Sequence, residues 1–125
     1  MEDLQPLTIT TARFGADSYV VALAGELDIG TSERFREELD NLLNGGARQL
    51  VVDLLGLTFL GSVGLGLLTG AAKRARARGG DCVVVSDDPR VLRVFEITGL
   101  DRSFRIERSL MEAVAQLVGT GAAVA

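Results

Sequence analysis

A chain of 125 residues with 47% hydrophobic and 24% charged side chains fits one globular domain that buries its core without disulfides or metals. Its 13 basic and 17 acidic residues give a formal charge of −4, which disfavours nucleic acid as a partner. Because the chain has no histidine, the usual zinc sites and every histidine-based catalytic triad are excluded. We therefore predict no metal site, no cofactor and no catalytic residue.

The N-terminus is acidic and lacks the apolar segment of a secretory signal. No apolar run reaches the roughly 18 residues that span a bilayer. Together these features predict a cytoplasmic protein that does not insert into membranes.

Two apolar-rich runs near the N-terminus, Leu7 to Arg13 and Ser18 to Ala24, predict a β-hairpin around a turn-forming stretch. Residues 1–6 before it are predicted to be a flexible leader. Thr31 to Asn44 has apolar residues at helical spacing and a plausible N-cap in its first residue. Gln49 to Leu54 is typical of a central strand.

The second half continues to alternate helices with strands. The predicted elements in chain order are a helix from Val63 to Arg78, a strand from Asp81 to Val85, a helix from Asp88-Pro89 to Thr98, a strand at Phe104 to Ile106 and a helix opened by the capping-box pair Ser109 and Glu112. Cys82 is predicted to be a small core residue of its strand. The helix from Val63 to Arg78 ends in a basic cluster, Lys73, Arg74, Arg76 and Arg78. The helix dipole explains this cluster, because it favours cations at a helix C-terminus.

This order predicts a single small α/β domain over residues 7–118. Its mixed sheet of four to five strands would carry about four helices. Residues 119–125 are small and are predicted to be a flexible tail.

The glycine-rich passage from Gly56 to Gly66 lies between the central strand and the following helix, and three interpretations compete for it. A phosphate-binding loop would need a lysine that is missing. A dinucleotide fingerprint would need G-x-G-x-x-G, whereas Gly61, Gly64 and Gly66 are spaced G-x-x-G-x-G. The third interpretation makes Ser62 the N-cap of the helix.

An N-cap at Ser62 would expose its hydroxyl at the positive end of a helix dipole. Free backbone N–H groups there can donate hydrogen bonds to a phosphate of nearly −2 charge, so the position suits reversible phosphorylation. A serine that only caps its helix would show the same pattern.

Three segments resemble, in order and spacing, the signatures of STAS-domain anti-sigma factor antagonists over roughly residues 7 to 118. They are Gly25-Glu26-Leu27-Asp28, Leu57-Thr58-Phe59-Leu60-Gly61-Ser62-Val63-Gly64-Leu65-Gly66 and Val94-Phe95-Glu96-Ile97-Thr98-Gly99-Leu100. The family's usual pattern is Asp-Ser-[Ser or Thr]-Gly. This chain has Gly61 before Ser62 and Val63 after it, and so lacks a carboxylate and a second hydroxyl beside the serine.

The resemblance implies a partner and a switch. The unphosphorylated protein would bind a serine kinase that is also an anti-sigma factor, freeing a sigma factor; phosphorylation of Ser62 would break the complex and a phosphatase would restore it. The residues it implies at the partner-binding face are Glu26, Leu27, Asp28, Thr31, Gly61, Ser62, Val63, Gly64 and Leu65. Without the resemblance, Glu26 and Asp28 are better explained as a solvated turn between strand and helix.

Two other functions remain open from the sequence. One is a STAS subunit of a membrane transporter complex, which would dock through the same surface. The other is a small nucleotide-binding α/β domain or enzyme, although the glycine-rich passage has no basic residue.

Overall fold

The structure, a computed structural model, describes the backbone of residues 7–124 and the side chains of residues 7–118. The predicted leader, residues 1–6, lies outside the described residues, as do the side chains of the predicted tail, residues 119–125. The division of the chain at those two boundaries therefore stays a prediction.

Strands and helices alternate along the described part of the chain. They are β1 (Thr8–Gly15), β2 (Ser18–Leu27), α1 (Ser32–Asn44), β3 (Gln49–Leu60), α2 (Ser62–Ala77), β4 (Asp81–Val85), α3 (Pro89–Thr98), a 3₁₀ turn (Leu100–Arg102), β5 (Arg105–Glu107) and α4 (Leu110–Val124). No helix among them is long and apolar enough to cross a membrane.

The five strands form one mixed sheet in the order β1-β2-β3-β4-β5, which confirms the predicted α/β class. β1 and β2 form the predicted antiparallel hairpin, and every later pair is parallel. The carboxyl ends of β2 to β5 consequently meet at one edge of the sheet, where ligands and partners of such sheets usually bind.

Helices cover the two faces of the sheet unequally. The larger core lies beneath α1, α2 and α3 and includes Phe35, Leu39, Leu68 and Phe95. On the opposite face α4 packs Ala113 and Leu117 against the valines of β3 and β4. The edge that follows β2 and β3 stays open between these layers.

β3 is six residues longer than the strand predicted to end at Leu54, so the glycine-rich passage begins as strand and not as loop. The register between β2 and β3 shifts twice, which disturbs the alternation of the two faces. In this part of β3 every third residue is buried: Leu54, Leu57 and Leu60. Because that spacing matches neither a regular strand nor a helix, the sequence pattern could not reveal the extension.

Both ends of α3 follow their local sequence signals. The Asp88 carboxylate accepts a hydrogen bond from the backbone N–H of Arg90 at 2.8 Å, and Gly99 ends α3 at φ 77°. In the basic cluster of α2, Arg74 binds Asp40 at 2.7 Å and Arg76 binds Asp81 at 2.9 Å. The hydrogen bond from Arg74 holds the pKa of Asp40 below its ordinary value.

Two glycines should respond oppositely to alanine. A Cβ on Gly80 would lie 1.7 Å from the backbone oxygen of Arg48, whereas one on Gly70 meets nothing within 4 Å. We expect Gly80→Ala to lower the free energy of unfolding by about 3 kcal/mol, because backbone must move to relieve the overlap. Gly70→Ala should raise it by about 1 kcal/mol, since alanine favours a helix interior. Urea unfolding measures both, and equal effects would contradict this packing.

Burial raises the pKa of the Cys82 thiol from 9.0 to about 12. Because the thiolate is the reactive form, we expect Cys82 to resist an aromatic disulfide reagent at pH 8 in the native protein. The same thiol should react fully once urea unfolds the chain. Complete reaction within seconds in native buffer would show that β4 is not covered as described.

Candidate functional site

The pairing of β2 with β3 brings two distant segments of the chain together. Leu27, the last residue of β2, pairs with Leu60, the last residue of β3. The backbone N–H of Gly61 then donates to the Leu27 carbonyl at 2.9 Å. Residues 28–30 and 61–63 therefore leave the sheet side by side, and together they line one cleft.

Gly61, and not Ser62, is the N-cap of α2, which corrects the sequence prediction. Gly61 has extended backbone angles (φ −93°, ψ 174°) and accepts the first helical hydrogen bond, from Leu65 N–H at 3.1 Å. Its bond to β2 keeps it strand-like, so the helical angles begin one residue later. Ser62 is thus the first residue of the helix, and its hydroxyl is not used as a cap.

Ser62 has an exposed side chain at the positive end of α2. Because the first helical bond starts at Leu65, the N–H groups of residues 62–64 have no acceptor within the helix. The first turn contains no acidic residue. An anion attached to Ser62 would meet free amides and a favourable dipole without disturbing the helix.

The loop between β2 and α1 is closed by reciprocal hydrogen bonds between Asp28 and Thr31. Asp28 Oδ1 accepts from the Thr31 N–H, and Thr31 Oγ1 accepts from the Asp28 N–H, both at 3.0 Å. The Thr31 hydroxyl donates to the Glu26 carbonyl at 2.7 Å. Thr31 precedes α1 as predicted, but its side chain ties the loop instead of capping the helix.

These two segments and β3 form a cleft of about 460 Å³, the Ser62 cleft. It is lined by Asp28, Ile29, Gly30, Phe59, Gly61, Ser62 and Val63. Three apolar side chains at its rim are exposed, Ile29 by 81%, Phe59 by 48% and Val63 by 40%. Exposed apolar side chains grouped around a cleft are typical of a surface that binds another molecule. Since no lysine or arginine lines it, the cleft also lacks the charge that a nucleotide-binding loop uses.

Three residues implied at the partner-binding face prove to be buried: Leu27, Gly64 and Leu65. They lie beneath the surface because the first turn of α2 packs on the ends of β2 and β3. A Cβ on Gly64 would stand 2.6 Å from Leu27 Cδ2, so only glycine allows the helix to approach this closely. Their contribution is to fix the helix start, and the exposed residues of the set are Glu26, Ser62 and Val63.

Sequence reasoning missed two prominent residues of this cleft, Ile29 and Phe59. Phe59 lies in an apolar run that is typical of a buried strand, and Ile29 lies in a short turn. The one sequence signal for the exposure of Ile29 is its place beside Gly30 in a turn, where an apolar residue is unusual. The exposure of Phe59 follows from the irregular register of β3, which the sequence pattern does not show.

No group of three or more histidine, cysteine, aspartate or glutamate side chains that could hold a metal occurs within residues 7–118. The chemical groups of the cleft are a carboxylate, a hydroxyl, free backbone N–H groups and apolar surface.

Several known proteins of similar sequence or structure are described as anti-sigma factor antagonists. The chain matches the STAS domain family over residues 9–113. The anti-sigma-B factor antagonist of Staphylococcus aureus (strain NCTC 8325) is 34% identical over 82 residues, 66% of this chain and 76% of that protein. An anti-sigma factor antagonist from Mycobacterium paratuberculosis has a TM-score of 0.83 and 26% identity over 94% of this chain and 98% of its own.

A third relative, SpoIIAA of Bacillus, has been solved in two forms. The unphosphorylated form of this anti-sigma factor antagonist has a TM-score of 0.80 over 90% of this chain and 97% of its own. Its phosphorylated form has a TM-score of 0.71 over 87% and 98%. At 23% identity in both cases, the likeness establishes the shared fold.

The Thr31 hydroxyl should stabilise the loop beside Ser62. We expect Thr31→Val, which keeps the shape but removes the hydroxyl, to lower the free energy of unfolding by about 1 kcal/mol and to speed amide exchange at Ile29 and Gly30. Thr31→Ser retains the hydroxyl and should behave nearly as wild type in both measurements. If Val and Ser variants exchange equally, the hydroxyl does not close the loop.

Proposed function

The chain belongs to the STAS domain family, among its anti-sigma factor antagonists, and on that premise we propose that it binds a kinase-type anti-sigma factor through the Ser62 cleft. Binding frees a sigma factor, and reversible phosphorylation of Ser62 turns the interaction off. The protein acts in the cytoplasm as a regulator and catalyses no reaction itself. A serine phosphatase returns it to the binding form.

One observation carries this proposal: an exposed serine at the first turn of α2 stands among exposed apolar side chains. Ile29, Phe59 and Val63 supply surface that a partner protein would bury. Ser62 stands where a kinase that docks on this surface reaches its hydroxyl. Binding and modification would then use one face of the molecule.

Electrostatics explain how a phosphate can switch the face without unfolding the domain. The free amides and dipole of α2 favour a negative group at Ser62. The Asp28 carboxylate lies in the same cleft, and the apolar rim that a partner covers would have to bury the added charge. The phosphate therefore costs little in the free protein and much in the complex.

The relatives support both parts of the proposal. The S. aureus protein is by name an antagonist of anti-sigma-B factor, and SpoIIAA exists in unphosphorylated and phosphorylated forms. In this chain Gly61 leaves no carboxylate directly before the serine.

The first test compares Ser62→Asp with its neutral isostere, Ser62→Asn. Both fit the first turn of a helix, so folding should be kept. We expect Ser62→Asp to weaken the Kd for the anti-sigma factor by about tenfold or more, because a charge must be buried, and Ser62→Asn to weaken it much less. If Ser62→Asp binds as tightly as wild type, phosphorylation of Ser62 does not control binding, and that part of the proposal is wrong.

The partner and the modification can be identified together. The tagged chain is purified from its native cell, and the peptide containing Ser62 is analysed by phosphopeptide mass spectrometry. The proposal expects an anti-sigma factor with a kinase domain in the unphosphorylated sample, and its loss from the phosphorylated one. Recovery of a transporter ATPase instead would favour a STAS subunit of a transport complex.

A further inference from the structure

We propose that Phe59, seated on Gly61, is the specificity-determining residue of this face: an aromatic anchor that enters an apolar pocket with a basic rim on the anti-sigma factor. The inference rests on the proposed function and adds to it the chemistry by which a partner is selected.

Phe59 forms a ridge between two clefts. On one side is the Ser62 cleft; on the other is a cleft of about 260 Å³ lined by Thr58, Phe59, Leu60, Arg90, Val91 and Val94. Because Phe59 lines both clefts, its aromatic side chain offers apolar area to a partner on two flanks. Aromatic residues in such positions supply a large share of the binding energy of many interfaces.

The ring keeps its position because Gly61 has no side chain. A Cβ on Gly61 would lie 3.2 Å from Phe59 Cε2 and 3.7 Å from Cζ. The strand below is fixed as well, since the Thr58 hydroxyl donates to the Gly25 carbonyl at 3.0 Å. A side chain at position 61 would therefore have to displace the ring, whereas the Gly61 backbone leaves it in place.

The charges around the ridge indicate the rim of the partner's pocket. Glu26 pairs with Phe59 across β2 and β3 and is exposed, and Asp28 lies in the adjoining cleft. On the far side Arg90 is neutralised by Asp88, which it binds at 2.8 Å. The ridge thus has a net acidic flank beside Ser62, which complements lysine or arginine on the partner and orients it.

A double-mutant cycle tests the coupling of the two residues. The probe is the kinase-type anti-sigma factor recovered with the wild-type chain, purified and titrated by calorimetry. We expect Phe59→Ala to weaken the Kd by about thirtyfold, and Gly61→Ser, whose Cβ displaces the ring, by about fivefold. In the Phe59→Ala background Gly61→Ser should add almost nothing, because there is no ring left to displace.

Serine is chosen at position 61 because it is a favoured N-cap that suits the extended backbone there. Thermal unfolding should accordingly show Gly61→Ser to be at least as stable as wild type, which separates ring displacement from misfolding. Met111→Ala is the matched control. It removes an apolar side chain 83% exposed on α4, which packs on the opposite face of the sheet, and should leave the Kd unchanged.

Salt dependence tests the basic rim. Raising the salt should weaken wild-type binding, and Glu26→Gln should reduce that dependence. If the wild-type Kd does not change with salt, the proposed basic rim of the partner's pocket is overturned.

The anchor and the proposed function fail in different ways. If Phe59→Ala binds as tightly as wild type while Ser62→Asp does not bind, the anchor is overturned and the switch stands. If the effects of Gly61→Ser and Phe59→Ala add fully, Gly61 does not act through the ring and the coupling is overturned. A wild-type chain that binds no anti-sigma factor overturns the proposed function and the anchor with it.

Discussion

The parallel pairing of β2 with β3 is the constraint on which the functional face depends. Leu27 and Leu60 end their strands opposite each other, and the hydrogen bond from Gly61 to the Leu27 carbonyl extends the pairing into the start of α2. Segments more than thirty residues apart in sequence thereby leave the sheet at one point. A slip of one residue would turn the leucines outward and move Ser62 away from the β2–α1 loop.

Close packing converts that pairing into a rigid surface. Gly64 lies against Leu27 with no room for a side chain, and Thr31 ties the loop back to β2. The exposed residues above them contribute little to the core. The buried residues therefore fix the position of the site, and its exposed side chains remain available to a partner. Such a division suits a switch, because a charge added at Ser62 changes what is presented while leaving the packing beneath it intact.

The exposed apolar side chains are the clearest departure of this domain from a self-contained fold. Ile29, Phe59 and Val63 gain little by remaining in water, and the free amides of α2 are also left without partners in the free chain. Local rules of this kind are usually broken at functional sites. At this edge of the sheet the three apolar side chains line the same cleft as Ser62.

By itself the sequence determined the element types, the α/β class, the α3 caps and the position of Ser62 at a helix start, because helical spacing, capping residues and glycine stops act over a few neighbouring residues. Tertiary structure alone decided the length of β3, the cap at Gly61, the burial of Leu27, Gly64 and Leu65, and the exposure of Ile29 and Phe59. Each of these depends on where β2 meets β3 and on the register shifts between them. Such pairing joins residues far apart in the chain, and no local pattern in the sequence records it.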